Sequence, residues 1–115
     1  MTPAEMEAIV MAFPGVEKGV SYGSPAYKLN GKFFTRLRRD DQSMVLMEVS
    51  LDEREMLMEA EPKTFHITAH YKDYPSVLAR IATLHPGSFK NFLERRWRRI
   101  APKTLVKAYE KEQAG

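Results

Sequence analysis

Two histidines four residues apart (His66 and His70), adjacent aspartates (Asp40 and Asp41), a serine in YGSPAY and four arginines in NFLERRWRRI are the residues whose chemistry must be read first. On a helix, histidines at this spacing share a side and suit a metal ion. Thr64, Ile67 and Thr68 favour a strand instead, where positions four apart are roughly 13 Å apart and cannot share one ion. Asp40 and Asp41 have turn-forming character rather than that of a metal pair. YGSPAY lacks the nucleophile-elbow pattern, and neither a phosphate loop nor a dinucleotide fingerprint occurs. Cysteine is absent, which removes thiolate chemistry, disulfides and cysteine-ligated metals. The chain therefore reads as a non-enzyme with no metal and no cofactor. An enzymatic reading would rest on His70 and a carboxylate brought to it by folding.

NFLERRWRRI, residues 91–100, surrounds the only tryptophan with Arg95, Arg96, Arg98 and Arg99. On a helix, Phe89, Phe92, Leu93, Trp97 and Ile100 span an arc of roughly 140°, a normal core-facing stripe, so Trp97 reads as packing. Arg95, Arg98 and Arg99 take the opposite side. Arg96 falls inside the apolar arc and must snorkel to its edge or meet a carboxylate, because an unpaired buried charge is too costly. Glu94, four residues before Arg98, has the favourable orientation for a helical ion pair. The wet side of this helix is either plain solvated surface or a contact for phosphates.

Net charge is only +3 over 115 residues, but it is unevenly placed. Residues 48–61 hold six carboxylates against Arg54, while residues 90–111 hold eight cations against Glu94 and Glu110. An electrostatically two-sided molecule is expected. A further basic block lies in KFFTRLRR, where strand alternation puts Lys32, Phe34, Arg36 and Arg38 on one face and Phe33 and Leu37 on the other. An aromatic among three cations fits a phosphate-contacting surface with a stacking platform, and fits a soluble outer sheet face equally well.

The elements that position these residues follow from local signals. Thr2, Pro3 and Glu5 form a capping box, Met6, Ile9, Val10 and Phe13 share a helical face, and Pro14-Gly15 stops it. Strands are expected near 17–22, 26–29, 32–39 and 43–49, with turns around Gly23-Ser24-Pro25, at Asn30-Gly31 and at Asp40-Asp41-Gln42. Ser50 and Glu53 start a short acidic helix that ends before Pro62. TFHIT, 64–68, reads as a strand; SVLARIATL, 76–84, fits strand or helix by pattern and is assigned to strand on its proline signals. His85-Pro86 opens the arginine-rich helix, and Ala101-Pro102 ends it and starts a last helix with Leu105, Val106 and Tyr109 inward. This order predicts one α+β domain over 1–115, an antiparallel sheet with helices mainly on one face. The N-terminal MTPAEMEAIVMAF carries two glutamates and no basic residue, unlike a secretory signal, so a cytoplasmic location is expected.

The phrases PGVEKGVSYGSPAYKLNGKFFTRL, FHITAHYKDYPSVLARI and RRIAPKTLVKAY, in that order, resemble the MmcQ/YjbR-like family of small bacterial domains over roughly residues 2–112. Ser21-Tyr22-Gly23, Gly31-Lys32, His70-Tyr71, Tyr74-Pro75, Trp97 and Ala101-Pro102-Lys103 are among the residues that carry the resemblance. It implies a CyaY-like fold with two projecting hairpins described as a double-wing DNA-binding motif. The first wing would run through Arg38, Arg39 and Asp40, the second from Phe65 through His70, Tyr71 and Lys72 to Arg80.

Charge and resemblance together lead to the expectation of a non-sequence-specific nucleic-acid (DNA) binding domain. Its phosphate contacts would be Lys32, Arg36, Arg38, Arg39, Lys72, Arg95, Arg98 and Arg99, and engagement of about five phosphates would give a log–log salt slope near −4.5. The alternative is a small-ligand or protein-binding module in which Tyr22, Tyr27, His70, Tyr71 and Tyr74 converge on a pocket.

Overall fold

The structure, a computed structural model, describes residues 1–114; Gly115, the last residue of the expected domain, lies outside them. Asn30 and Gly31 both take the left-handed conformation, with φ of 53° and 73°. This is the hairpin turn whose twist matches the strands it joins, and it links β2 (Ser24–Leu29) to β3 (Lys32–Arg38) as the Asn-Gly pair predicts. The preceding turn is displaced from expectation. Tyr22 and Gly23, at φ 51° and 74°, make the reversal between β1 (Val16–Ser21) and β2, so Ser24 and Pro25 are strand residues.

β4 (Ser43–Met47), α2 (Leu51–Ala60), β5 (Phe65–His66), β6 (Ser76–Arg80), α3 (Pro86–Ile100) and α4 (Lys103–Ala114) follow, and α1 (Pro3–Met11) precedes them. The strands form one six-stranded antiparallel sheet in the order β1-β2-β3-β4-β6-β5. The fold is thus α+β. Two expected strands are shorter than their apolar runs. TFHIT pairs only at Phe65 and His66. SVLARIATL leaves the sheet at Arg80, whose carbonyl accepts from Thr83 and Leu84 and turns the chain.

Alternation along β3 also departs from expectation. The register against β2 shifts between Tyr27 and Lys28, which leaves Phe34 as an extra residue between Phe33 and Thr35. Such a bulge reverses the inward and outward assignment beyond it. Phe34 therefore joins Leu37 in the core, while Phe33 and Arg36 open onto one cavity. The expected face of Phe34 with three cations does not exist.

One side of the sheet buries Tyr27, Phe34, Leu37, Met44, Leu46, Val77 and Ala79 with the apolar sides of α1, α3 and α4. The α3 stripe behaves as its periodicity demands: Phe89, Phe92, Leu93, Trp97 and Ile100 are all buried. Trp97 is fully enclosed, donates from its indole nitrogen to the Pro14 carbonyl at 2.9 Å, and packs 4.7 Å from the Tyr109 ring. It is core, not contact surface. Among the described residues no helix is long and apolar enough to cross a membrane.

Candidate functional site

Four of the eight cations expected to be displayed pair with carboxylates within the fold. Arg38 meets Asp41 at 2.8 Å, and Arg95 grips Glu53 with both terminal nitrogens at 2.8 and 2.9 Å. Arg98 donates to Glu94 at 3.4 Å, as the spacing predicts, and to Glu110 at 2.8 Å. Arg99 lies 3.4 Å from Glu48. Packing thus lays the start of the acidic segment against α3, so the two charge blocks partly cancel rather than facing apart as expected. The cause is geometric: Ser50 accepts from the Glu53 amide to start α2, but the Glu53 carboxylate turns to Arg95 instead of closing the capping box.

Lys32, Arg36, Arg39 and Lys72 have no carboxylate within 4 Å among the described residues. Two of them gather at the β1–β2 turn. Arg39 donates to the Gly23 carbonyl at 2.7 Å, and the Arg36 guanidinium sits 5.5 Å from the centre of the Tyr22 ring. Tyr22 is 90% exposed in a left-handed conformation that a bulky side chain adopts only against steric resistance. The fold presents an aromatic ring to solvent with two cations beside it.

Behind this turn the sheet opens. β3 and β4 pair only at Leu37 with Met44 and at Arg38 with Ser43. Beyond that the strands diverge, and side chains take over backbone partners: Thr35 donates its hydroxyl to the Val45 carbonyl at 2.7 Å, and Arg96 donates to the Phe33 carbonyl at 2.7 and 2.9 Å. Arg96 also binds Glu48 at 2.7 Å, which is how a cation placed in an apolar arc is accommodated. A cavity of about 350 Å³ lies here, with Phe33, Arg36, His70, Tyr71, Tyr74 and Arg96 among its walls. Three residues of the alternative pocket, His70, Tyr71 and Tyr74, do converge. Tyr22 stands outside the lining, and Tyr27 is buried elsewhere, where its hydroxyl donates to Glu7 and burial with that carboxylate raises its pKa.

The loop 67–75 that carries these aromatics is fastened by a residue with no obvious role in the sequence. Arg54, 9% exposed, donates to the carbonyls of Lys72, Tyr74 and Ser76 at 2.9–3.2 Å. The single cation of an acidic helix points inward, which is the signal that would have revealed it.

A second cluster joins strands distant in sequence. His66 Nε2 lies 2.8 Å from Ser43 Oγ and 3.5 Å from Asp41 Oδ2. Serine and aspartate approach the same ring nitrogen, so the carboxylate cannot orient the imidazole from its far side as hydrolytic relays require. Ser43 is moreover fully buried. The cluster ties the β3–β4 turn and β4 to β5 and offers no nucleophile. Burial, and then the Arg80 charge, lowers the pKa of His66. Below the ordinary histidine value of about 6.5 the unfolded chain therefore binds a proton that the fold resists. Stability should fall as pH drops from about 7 to 5.5, above the carboxylate range, and His66→Gln should flatten that slope in urea titrations. An unchanged slope in the variant would refute this assignment. Among the described residues no three metal-binding side chains converge.

Relatives of known sequence place the chain without assigning it a task. Uncharacterized proteins of Mycobacterium tuberculosis and Mycobacterium bovis are 26% identical to it over 95 residues, which is 80% of this chain and 74% of each relative. No solved structure is a significant match. Residues 11–99 match the YjbR family, a span from the end of α1 through nearly all of α3 that takes in the β1–β2 turn, the cavity and Arg54. The chain belongs to the YjbR family.

Proposed function

We propose that this domain acts by binding rather than catalysis, and that its partner is a nucleic-acid strand held loosely at the β1–β2 turn. The reading is carried by one observation: Tyr22 is almost wholly exposed, in a conformation unfavourable for its type, with Arg36 and Arg39 beside it. An exposed ring stacks a base without regard to its identity, and neighbouring guanidinium groups meet the backbone. Pairing of Arg95, Arg98 and Arg99 with carboxylates weakens the arginine face of α3 as a contact, and Arg38 is engaged by Asp41. The β1–β2 turn belongs to neither of the two expected wings, and a single strand with splayed bases suits it better than a duplex groove. A cytoplasmic site of action accompanies such a partner.

Fewer cations mean a shallower salt response. About three phosphate contacts on a single strand give a log–log slope near −2, in place of the −4.5 expected from the uncancelled charge. Fluorescence anisotropy with labelled oligothymidylate across a salt series measures it. A slope near zero, or no binding at low salt, overturns the proposal.

A further inference from the structure

The cavity behind the Tyr22 turn has features that the strand-binding reading does not use. We propose that it is a binding site for a small planar aromatic anion of the aryl carboxylate class, seated on Arg36 between the rings of Phe33, Tyr71 and Tyr74. The opening is built into the backbone. β3 and β4 diverge after two paired positions, and the side chains of Thr35 and Arg96 occupy the carbonyls that a continued ladder would have used. The space left, about 350 Å³, is at the small end of the range for organic ligands and suits one or two fused rings.

Charge decides what enters. Among the described residues, two guanidinium groups line the cavity and no carboxylate does. Arg96 is committed to Glu48 and the Phe33 carbonyl. Arg36 is not: its Nε is buried and has no hydrogen-bond partner. Arg36 also makes no salt bridge among the described residues, and the terminal N–H groups of a guanidinium that lines a cavity match a carboxylate through two parallel bonds. The remaining walls are flat. Tyr71 is held edge-on by His70 with ring centres 4.7 Å apart, and Arg54 fixes the backbone of Lys72 and Tyr74. A ring bearing one carboxylate satisfies both halves of the site, whereas a bare inorganic anion leaves the aromatic half unfilled.

Tyr22 and Arg39 are not part of the lining, but Arg36 serves both this site and the proposed strand contact, so a strand and an aryl carboxylate should compete for it. The test is amide-resolved NMR titration of the full chain with 2-naphthoate, its neutral analogue 2-naphthamide, and inorganic phosphate. Naphthoate is expected to shift the resonances of Phe33, Arg36, His70 and Tyr71, and the amide, which lacks the charge-assisted pair, and phosphate, which lacks the ring, to bind about tenfold or more weakly. Arg36→Gln should lose the same factor while its spectrum stays dispersed; Arg36→Lys, which keeps the charge but not the fork, should recover only part. The proposal is overturned if naphthoate shifts none of these residues, if the amide or phosphate binds equally well, or if Arg36→Gln retains full affinity.

Discussion

Arg54→Met is expected to destabilise the domain by about 3 kcal/mol and to lower its melting temperature by roughly 12 °C. The side chain is buried, and its two terminal nitrogens serve three carbonyls of the loop 67–75 and the start of β6. Methionine keeps much of the packing volume but returns none of the donors. The Tyr74 carbonyl keeps the Ser76 amide at 2.8 Å, but the Lys72 carbonyl must then reach water or go without the donor that Arg54 supplies. Hydrogen exchange should show which: the amides of residues 68–76 should lose protection first, while those of α3 keep theirs. A loss below about 1 kcal/mol would mean that the loop is held by its other contacts and that Arg54 is incidental.

Arg96→Met is the second large effect, at about 2–3 kcal/mol, because it leaves a half-buried carboxylate facing a distant partner and strips the Phe33 carbonyl of both its donors. Glu48 retains only the 3.4 Å approach of Arg99. Arg96→Lys should not restore stability, since one ammonium cannot span the carboxylate and the carbonyl as the planar fork does. The double variant Glu48→Gln/Arg96→Met should cost less than the sum of the single changes, the mark of a shared interaction. Additive losses in chemical denaturation would show that the two residues act separately.

What the residues announced in advance and what they hid have different physical origins. The α3 stripe, the Thr2 capping box and the Asn30-Gly31 turn depend on neighbours within a few positions, and each formed as read. Of the two outcomes open to Arg96, snorkelling or meeting a carboxylate, the structure shows the second, with a partner, Glu48, far along the chain. The bulge at Phe34 was not legible, because one extra residue in a ladder leaves no mark in composition, yet it exchanged the faces of Phe34 and Phe33. Nor was the cancellation of charge. Arg95 with Glu53, and His66 with Ser43, meet only after helix packing and strand register are set. The cavity was half visible: His70, Tyr71 and Tyr74 stood together in one loop, whereas Phe33, Arg36 and Arg96 arrive from two other elements.

The account stands on a division among the arginines, between those without a carboxylate at the β1–β2 turn and those paired with one along α3. Anisotropy titrations of a labelled oligothymidylate at low salt, run on Tyr22→Ala, Arg39→Gln and Arg98→Gln beside the parent chain, measure that division directly. Tyr22→Ala and Arg39→Gln should each weaken binding by about tenfold, in line with the loss of one stacked base or one phosphate contact, and Arg98→Gln should leave it within about twofold. The reverse order, with Arg98→Gln the most damaging and Tyr22→Ala neutral, would contradict it.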